Sequence, residues 1–119
     1  MSKKRRVKME NNHKENEFLQ IEEDIVSILH TVYDPEIPVN IYDLGLVYDV
    51  DVNHDTGHVD ITMTLTAPNC PMADFILEDV QMKVESVKGV KSVEVHLTFD
   101  PAWSKEMMSE EALLELGFL

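Results

Sequence analysis

Apolar residues recur at helical spacing along the first predicted element of the chain. This helix is predicted to begin at Glu17, with Asn16 as its N-cap, and to end near Tyr33. Pro35 favours that end because the residue before a proline is pushed towards extended geometry. The apolar positions form one buried face and are Ile21, Ile25, Ile28, Leu29 and Val32.

Strict alternation of apolar and polar residues predicts a β-hairpin after an irregular loop over residues 34–45. Its strands are predicted at residues 46–52 and 58–66, joined by a turn over 53–57 that contains Gly57. On the second strand the core side is expected to carry Val59, Ile61, Met63 and Leu65, while Asp60, Thr62, Thr64 and Thr66 face away. His54 and His58 are interpreted as surface histidines rather than metal ligands, because they lie far along the strand from the only cysteine.

A second amphipathic helix is predicted from Pro71 to Lys88, with Gly89 as its stop. A third strand follows, and its inward side is expected to carry Val93, Val95, Leu97 and Phe99. A strand, helix, strand sequence is a crossover unit, so the third strand should lie parallel to the second. A last helix is predicted from Glu110 to Leu116, capped by Ser109. The predicted fold is α/β, in the two-layer α+β sense: a small mixed three-stranded sheet with helices on one face, in the order α-β-β-α-β-α.

Length and charge limit the classes of protein that this chain can be. Its 119 residues suit one domain, predicted at residues 17–119. A disordered basic arm is predicted at residues 1–16, and it is either a solvated tail, a localisation signal or an electrostatic tether. The predicted domain has four Lys against 21 acidic residues, and such a surface repels phosphate backbones, so we expect no nucleic-acid partner. We also expect no membrane partner, because no apolar run is long enough to span a bilayer. A single cysteine cannot form an internal disulfide, which fits a cytoplasmic location.

Cys70 lies between two prolines, where the second strand gives way to the second helix. A helix N-terminus stabilises thiolate, but acidic residues in the 34–45 loop oppose it, and no histidine is placed to act as a base. Thiol catalysis is therefore disfavoured, and a thiolate beside carboxylates suits iron or zinc. Two alternatives stay open: Cys70 is a buried, inert cysteine, and Asp34 and Asp43 merely accept hydrogen bonds from nearby backbone amides.

Three segments resemble the metal–sulfur cluster assembly factor family, which includes SufT-like and PaaD-like proteins. They are residues 34–48, the motif Thr66-x-x-x-Cys70-Pro71, and Asp100-Pro101-x-Trp103, and the resemblance covers roughly residues 17–119. It implies a compact α/β domain in which the Asp-Pro-Glu loop and the cysteine loop share a pocket. It also implies that Cys70, Asp34 and Glu36 handle metal or cluster, with Thr66 and Asp43 supporting them.

The resemblance implies an accessory factor for iron–sulfur cluster assembly and maturation, not an enzyme. Such a factor handles iron or a cluster transiently, with no stably bound cofactor, and delivers it to client proteins; its partners are assembly and client proteins, with a homodimer as a further expectation. The alternatives are a protein–protein adaptor that binds no metal and a PaaD-like maturation factor for a metal-containing oxygenase. A thiol enzyme or a metal-dependent hydrolase is disfavoured, because the sequence shows neither a base nor a full ligand set.

Overall fold

A three-stranded mixed sheet with helices packed on its apolar side forms the fold. The computed structural model describes residues 12–67 and 72–118, and it confirms the predicted α/β class. The helices are α1 (Asn12–Leu29), α2 (Ile41–Leu44), α3 (Ala73–Glu85) and α4 (Glu110–Glu115), with a short 3-10 helix at Lys105–Met107. The strands are β1 (Val47–Asn53), β2 (His58–Met63) and β3 (Ser92–Leu97).

The strands lie in the order β1-β2-β3, with β2 in the centre. β1 runs antiparallel to β2, so that Asn53 pairs with His58 beside the turn. β2 and β3 are parallel, with Asp60 opposite Glu94, which confirms the crossover predicted from the sequence. A register shift near the start of β1 breaks the strict alternation that the sequence predicts there.

The core fills the space between the sheet and the helices α1 and α3. The side chains predicted to face inward from β2 are fully buried, as are those at the centre of the predicted stripes of both helices. The fully buried residues of these elements include Ile25, Leu29, Val59, Ile61, Met63, Val80 and Val84. Apolar burial of this kind contributes about 25 cal/mol per Å², so this layer supplies the main stabilisation of the fold.

The bounds of the first helix differ from the prediction. α1 begins at Asn12, so Asn16 lies within the helix rather than capping it, and residues 1–11 of the predicted arm lie outside the described residues. The helix ends at Leu29, before the predicted Tyr33, because the amide of Thr31 bonds the carbonyl of Ile28 and tightens the chain into a turn.

The predicted irregular loop contains one helical turn, α2, which the sequence prediction missed. Asn40 is its N-cap, and the Asn40 side chain accepts a hydrogen bond of 2.8 Å from the amide of Asp43. Gly45 ends the turn with a φ of +84°, a left-handed conformation that favours glycine. A four-residue helix is too short to show periodicity, so only its caps could have revealed it.

Several burial predictions near the ends of β2 and β3 are wrong. Thr64 was expected to face away but is fully buried, because β2 ends at Met63 and the chain no longer alternates beyond it. Leu97 and Phe99 were expected to face inward, yet they are 41% and 37% exposed. Alternation determines the face of the sheet, but burial also requires a helix above that position. α3 begins at Ala73, later than predicted, and the predicted start at Pro71 lies outside the described residues.

Candidate functional site

The described parts of the three segments that resemble the assembly-factor family approach one another at one end of the sheet. Because β1 is antiparallel to β2 and β2 is parallel to β3, Val47, Met63 and Leu97 lie side by side at this end, here called the loop end. The amide of Thr64 donates a hydrogen bond of 2.8 Å to the carbonyl of Leu46 there. The backbone therefore brings the loop before β1 to the point where the chain leaves β2 towards the cysteine.

Two long-range side-chain hydrogen bonds hold the segment Asp100-Pro101-x-Trp103 at the loop end. The indole Nε1 of Trp103 donates to the carbonyl of Leu44 over 2.6 Å. The hydroxyl of Tyr48 donates to the carbonyl of Pro101 over 2.7 Å. Hydrogen bonds from buried or half-buried indole and phenol groups fix orientation as well as adding stability, so this segment supports the loop before β1.

Asp34 organises the Asp-Pro-Glu loop from inside. It is only 4% exposed, and its Oδ1 accepts hydrogen bonds from the amides of Glu36, at 2.8 Å, and Ile37, at 3.1 Å. This geometry is the turn-forming role that the sequence left open as an alternative. The Glu36 side chain is exposed. The loop thus presents one solvent-facing carboxylate on a backbone that the buried carboxylate fixes.

The carboxylate of Asp43, in α2, also accepts a hydrogen bond from within its own loop. Its Oδ2 accepts a hydrogen bond of 2.9 Å from the side-chain amide of Asn40, and its Oδ1 lies 3.7 Å from Nε2 of His30. Asp43 also lines a shallow pocket together with Glu111 and Glu115 of α4. The structure therefore brings Asp43 to α4 and to the end of α1.

The structure describes the residues that lead to Cys70 but not Cys70 itself. Thr66 is half-buried just beyond the loop end, whereas Cys70 lies outside the described residues, as do its neighbours at 68–71. Within residues 12–67 and 72–118, no side-chain hydrogen bond joins Thr66 to Asp34 or Glu36. The grouping of Cys70 with these carboxylates stays a prediction.

A second cluster of chemically active side chains lies on the outer face of the sheet, where sequence reasoning did not find it. Asp60 Oδ1 lies 2.8 Å from Nε2 of His96 and 3.3 Å from Nε2 of His58, and Oε1 of Glu94 lies 3.9 Å from the latter nitrogen. The hydrogen bond with His96 lowers the pKa of Asp60 and, reciprocally, raises the pKa of His96. Alternation predicted that Asp60 faces away from the core, but only the strand register could have shown which side chains it meets there.

The fold and the loop end define a small α/β domain whose candidate site is built from loops at one end of a mixed sheet. The chain belongs to the family described as iron-sulfur cluster assembly protein, whose model matches residues 22–97. This match confirms the resemblance that the three sequence segments predicted. No helix among the described residues is long and apolar enough to cross a membrane.

Two named relatives are similar to this chain over most of both lengths. A protein of Porphyromonas gingivalis named Fe-S protein maturation auxiliary factor is 76% identical over 104 residues, covering 87% of this chain and 98% of that protein. The Fe-S protein maturation auxiliary factor SufT of Staphylococcus aureus is 40% identical, covering 72% of this chain and 97% of its own. A crystal structure of a domain of unknown function from Bacillus anthracis is 40% identical with a TM-score of 0.78, covering 85% of this chain and 95% of that one.

Proposed function

We propose that this protein is a non-catalytic auxiliary factor for the maturation of iron–sulfur proteins in the cytoplasm. It handles iron or a cluster transiently through Cys70 and the exposed carboxylate of Glu36, and passes this cargo to client proteins. The observation that carries the proposal is the 76% identity with a maturation auxiliary factor of which the chain covers 98%. Family membership over residues 22–97 supports the same role.

The chemistry of the donor set supports transient rather than permanent binding. Thiolate and carboxylate together suit iron, but one cysteine falls far short of the four thiolates that hold a cluster. The Asp-Pro-Glu loop adds the exposed carboxylate of Glu36 on a backbone fixed by Asp34. Such a site is open and needs ligands from a partner or from a second copy of the chain, which suits a carrier that must release its cargo.

Replacing Cys70 by Ser tests the thiol, and replacing Glu36 by Gln tests the carboxylate. In cells that lack the native protein, we expect Cys70→Ser to lower the cluster occupancy of client enzymes, measured as the ratio of iron to purified client. Glu36→Gln should lower it to a smaller extent. Glu23→Gln removes an equally exposed carboxylate from α1 and is the matched control. Full client occupancy with Cys70→Ser would rule out the thiol as the group that handles the cargo.

A protein–protein adaptor is the second candidate, and one observation favours it. Large apolar side chains are exposed near the loop end: Phe75 at 56% and Met72 at 38% where α3 begins, with Leu97 and Phe99 where β3 ends. Large apolar side chains that a fold leaves exposed favour an interaction surface at this end of the domain. In this alternative Cys70 and the Asp-Pro-Glu loop are structural, and no metal is handled.

The two candidates differ in what Cys70→Ser does to partner binding and to iron. A purified adaptor should take up no iron in an anaerobic titration, and Cys70→Ser should leave its co-purification with assembly proteins unchanged. Phe75→Ser should weaken that co-purification, because it removes an apolar contact without touching the site. Iron uptake that disappears with Cys70→Ser would instead favour cargo handling.

A further inference from the structure

On the outer face of the sheet, the imidazoles of His58 and His96 lie against the carboxylate of Asp60, and Glu94 lies beside His58. His58, Asp60 and Glu94 each offer one ligand atom, and these atoms all lie within 4.8 Å of one another. Ligands held about 2.0–2.1 Å from a tetrahedral metal lie about 3.3–3.4 Å apart, which is close to the 3.3 Å between His58 Nε2 and Asp60 Oδ1. Small side-chain rotations would bring all three onto one cation.

We propose that His58, Asp60 and Glu94 form a binding site for a divalent transition-metal cation of the zinc or iron(II) class, separate from the loop end. Imidazole with carboxylate is the donor set that such cations accept, whereas magnesium and calcium prefer oxygen alone. Three protein ligands leave open coordination positions for water or an exogenous ligand. The site does not depend on Cys70 and stands independently of the proposed function.

A hydrogen bond to the second ring nitrogen of His58 orients the imidazole, as is common for metal-binding histidines. Nδ1 of His58 lies 2.6 Å from the hydroxyl of Ser92, so the other ring nitrogen is directed at the carboxylates. Metal-binding histidines use their second nitrogen in this way, which fixes the tautomer and the ring orientation. Nε2 of His96 lies 2.8 Å from the same Oδ1 of Asp60, so that both imidazoles meet at this oxygen.

The pairing of the strands gives an independent reason for a cation at this position. Asp60 on the central strand pairs with Asp51 of β1 on one side and with Glu94 of β3 on the other. Neighbouring strands are about 4.8 Å apart, and like charges directly opposite each other are destabilising. A row of three carboxylates on neighbouring strands is therefore costly. A divalent cation bound by Asp60 and Glu94 would relieve part of this repulsion.

The alternative is a surface network of histidine–carboxylate pairs with no metal function. The chain offers a matched example of such a pair, since Nε2 of His54 lies 3.4 Å from Oε2 of Glu22. That pair has no third ligand among the described metal-ligating groups. Glu22→Gln and Glu94→Gln therefore remove a comparable exposed carboxylate, one from a simple pair and one from the proposed site.

Zinc titration by calorimetry of the tag-free full chain, in a Cys70→Ser background and with millimolar magnesium present, tests the site. The background removes any zinc bound by the thiol, and magnesium occupies acidic surface that attracts cations without selectivity. We expect one zinc per chain, with affinity lowered about tenfold or more by His58→Gln and by Glu94→Gln, and unchanged by Glu22→Gln.

The His58 ring provides a second readout. In NMR spectra of the same protein, zinc should shift the His58 ring signals and leave those of His54 unchanged. The two substituted side chains of the proposed site, those of His58 and Glu94, lie on the outer face of the sheet. Unchanged circular dichroism checks that each variant folds. Zinc affinity that falls equally in Glu22→Gln and Glu94→Gln, or zinc that magnesium displaces, would overturn the site.

Discussion

Asp34 is predicted to stabilise the fold through its carboxylate oxygen rather than through its charge. Asp34→Ala removes an acceptor that two backbone amides share, those of Glu36 and Ile37, at 2.8 and 3.1 Å. An intramolecular hydrogen bond contributes about 0.5–1.5 kcal/mol net, and both amides lose their acceptor, so we expect the free energy of unfolding to fall by about 1–3 kcal/mol. Asp34→Asn keeps an acceptor oxygen in the same place and should cost less than about 1 kcal/mol.

Urea unfolding followed by the fluorescence of Trp103 measures these differences. Trp103 is the only tryptophan, and its indole bonds the carbonyl of Leu44 within the same loop region, so its emission reports the loss of this structure. Asp55→Ala, at an exposed position in the turn between β1 and β2, is the control and should change the free energy of unfolding by less than about 0.5 kcal/mol.

Two results would refute this role for Asp34. One is a loss below about 1 kcal/mol for Asp34→Ala with an unchanged dependence on urea concentration. The other is an equal loss for the Asn and Ala variants, which would mean that the negative charge matters more than the acceptor. A stable Asp34→Asn protein that fails to support client enzymes would separate a role in cargo handling from the role in the loop.

Two further predictions concern a glycine and the outer face. Gly45→Ala should lower the free energy of unfolding by about 2–4 kcal/mol, because φ is +84° and a Cβ would collide with the backbone carbonyl of Met107. Gly117 has a similar φ but no described atom within 4 Å of a Cβ, so Gly117→Ala should lower it by about 1 kcal/mol in the same urea assay. In metal-free protein, His96→Gln should lower the thermal midpoint at pH 6 but not at pH 8.5. Pairing with Asp60 raises the pKa of His96 above 6.5, so this stability is present below that value and is lost as the pH rises through the folded pKa. Equal losses for the two glycines, or a pH-independent effect of His96→Gln, would contradict these predictions.

The parts of the fold that sequence could predict are those set by local periodicity. The stripe through Ile25 and Leu29 and the alternation through Val59 and Ile61 each recur often enough to identify an element and its buried face. The parallel crossover followed from chirality and connection length, without knowledge of contacts. Alternation could not predict the exposure of Leu97, because it contains no information about which positions a helix covers.

The candidate site was less predictable, because its geometry depends on which atoms meet across the sequence. Asp34 carries the same side chain whether it binds a cation or accepts amide hydrogen bonds, and only the structure shows the amides beside it. The group around Asp60 depends on the register between β2 and β3, which no single strand reveals. Sequence could place His58 on the outer face but could not identify its neighbours.

The position of β3 at the edge of the described sheet has a consequence for the behaviour of the protein in concentrated solution. An edge strand has backbone groups open to pairing, and β3 ends in the exposed apolar side chains of Leu97 and Phe99. The net charge of −13 opposes the approach of a second copy. Salt shortens the reach of that repulsion from about 10 Å at 0.1 M to about 3 Å at 1 M. The acidic surface thus acts as a colloidal barrier against pairing between the β3 edges of two copies, and high salt should weaken it.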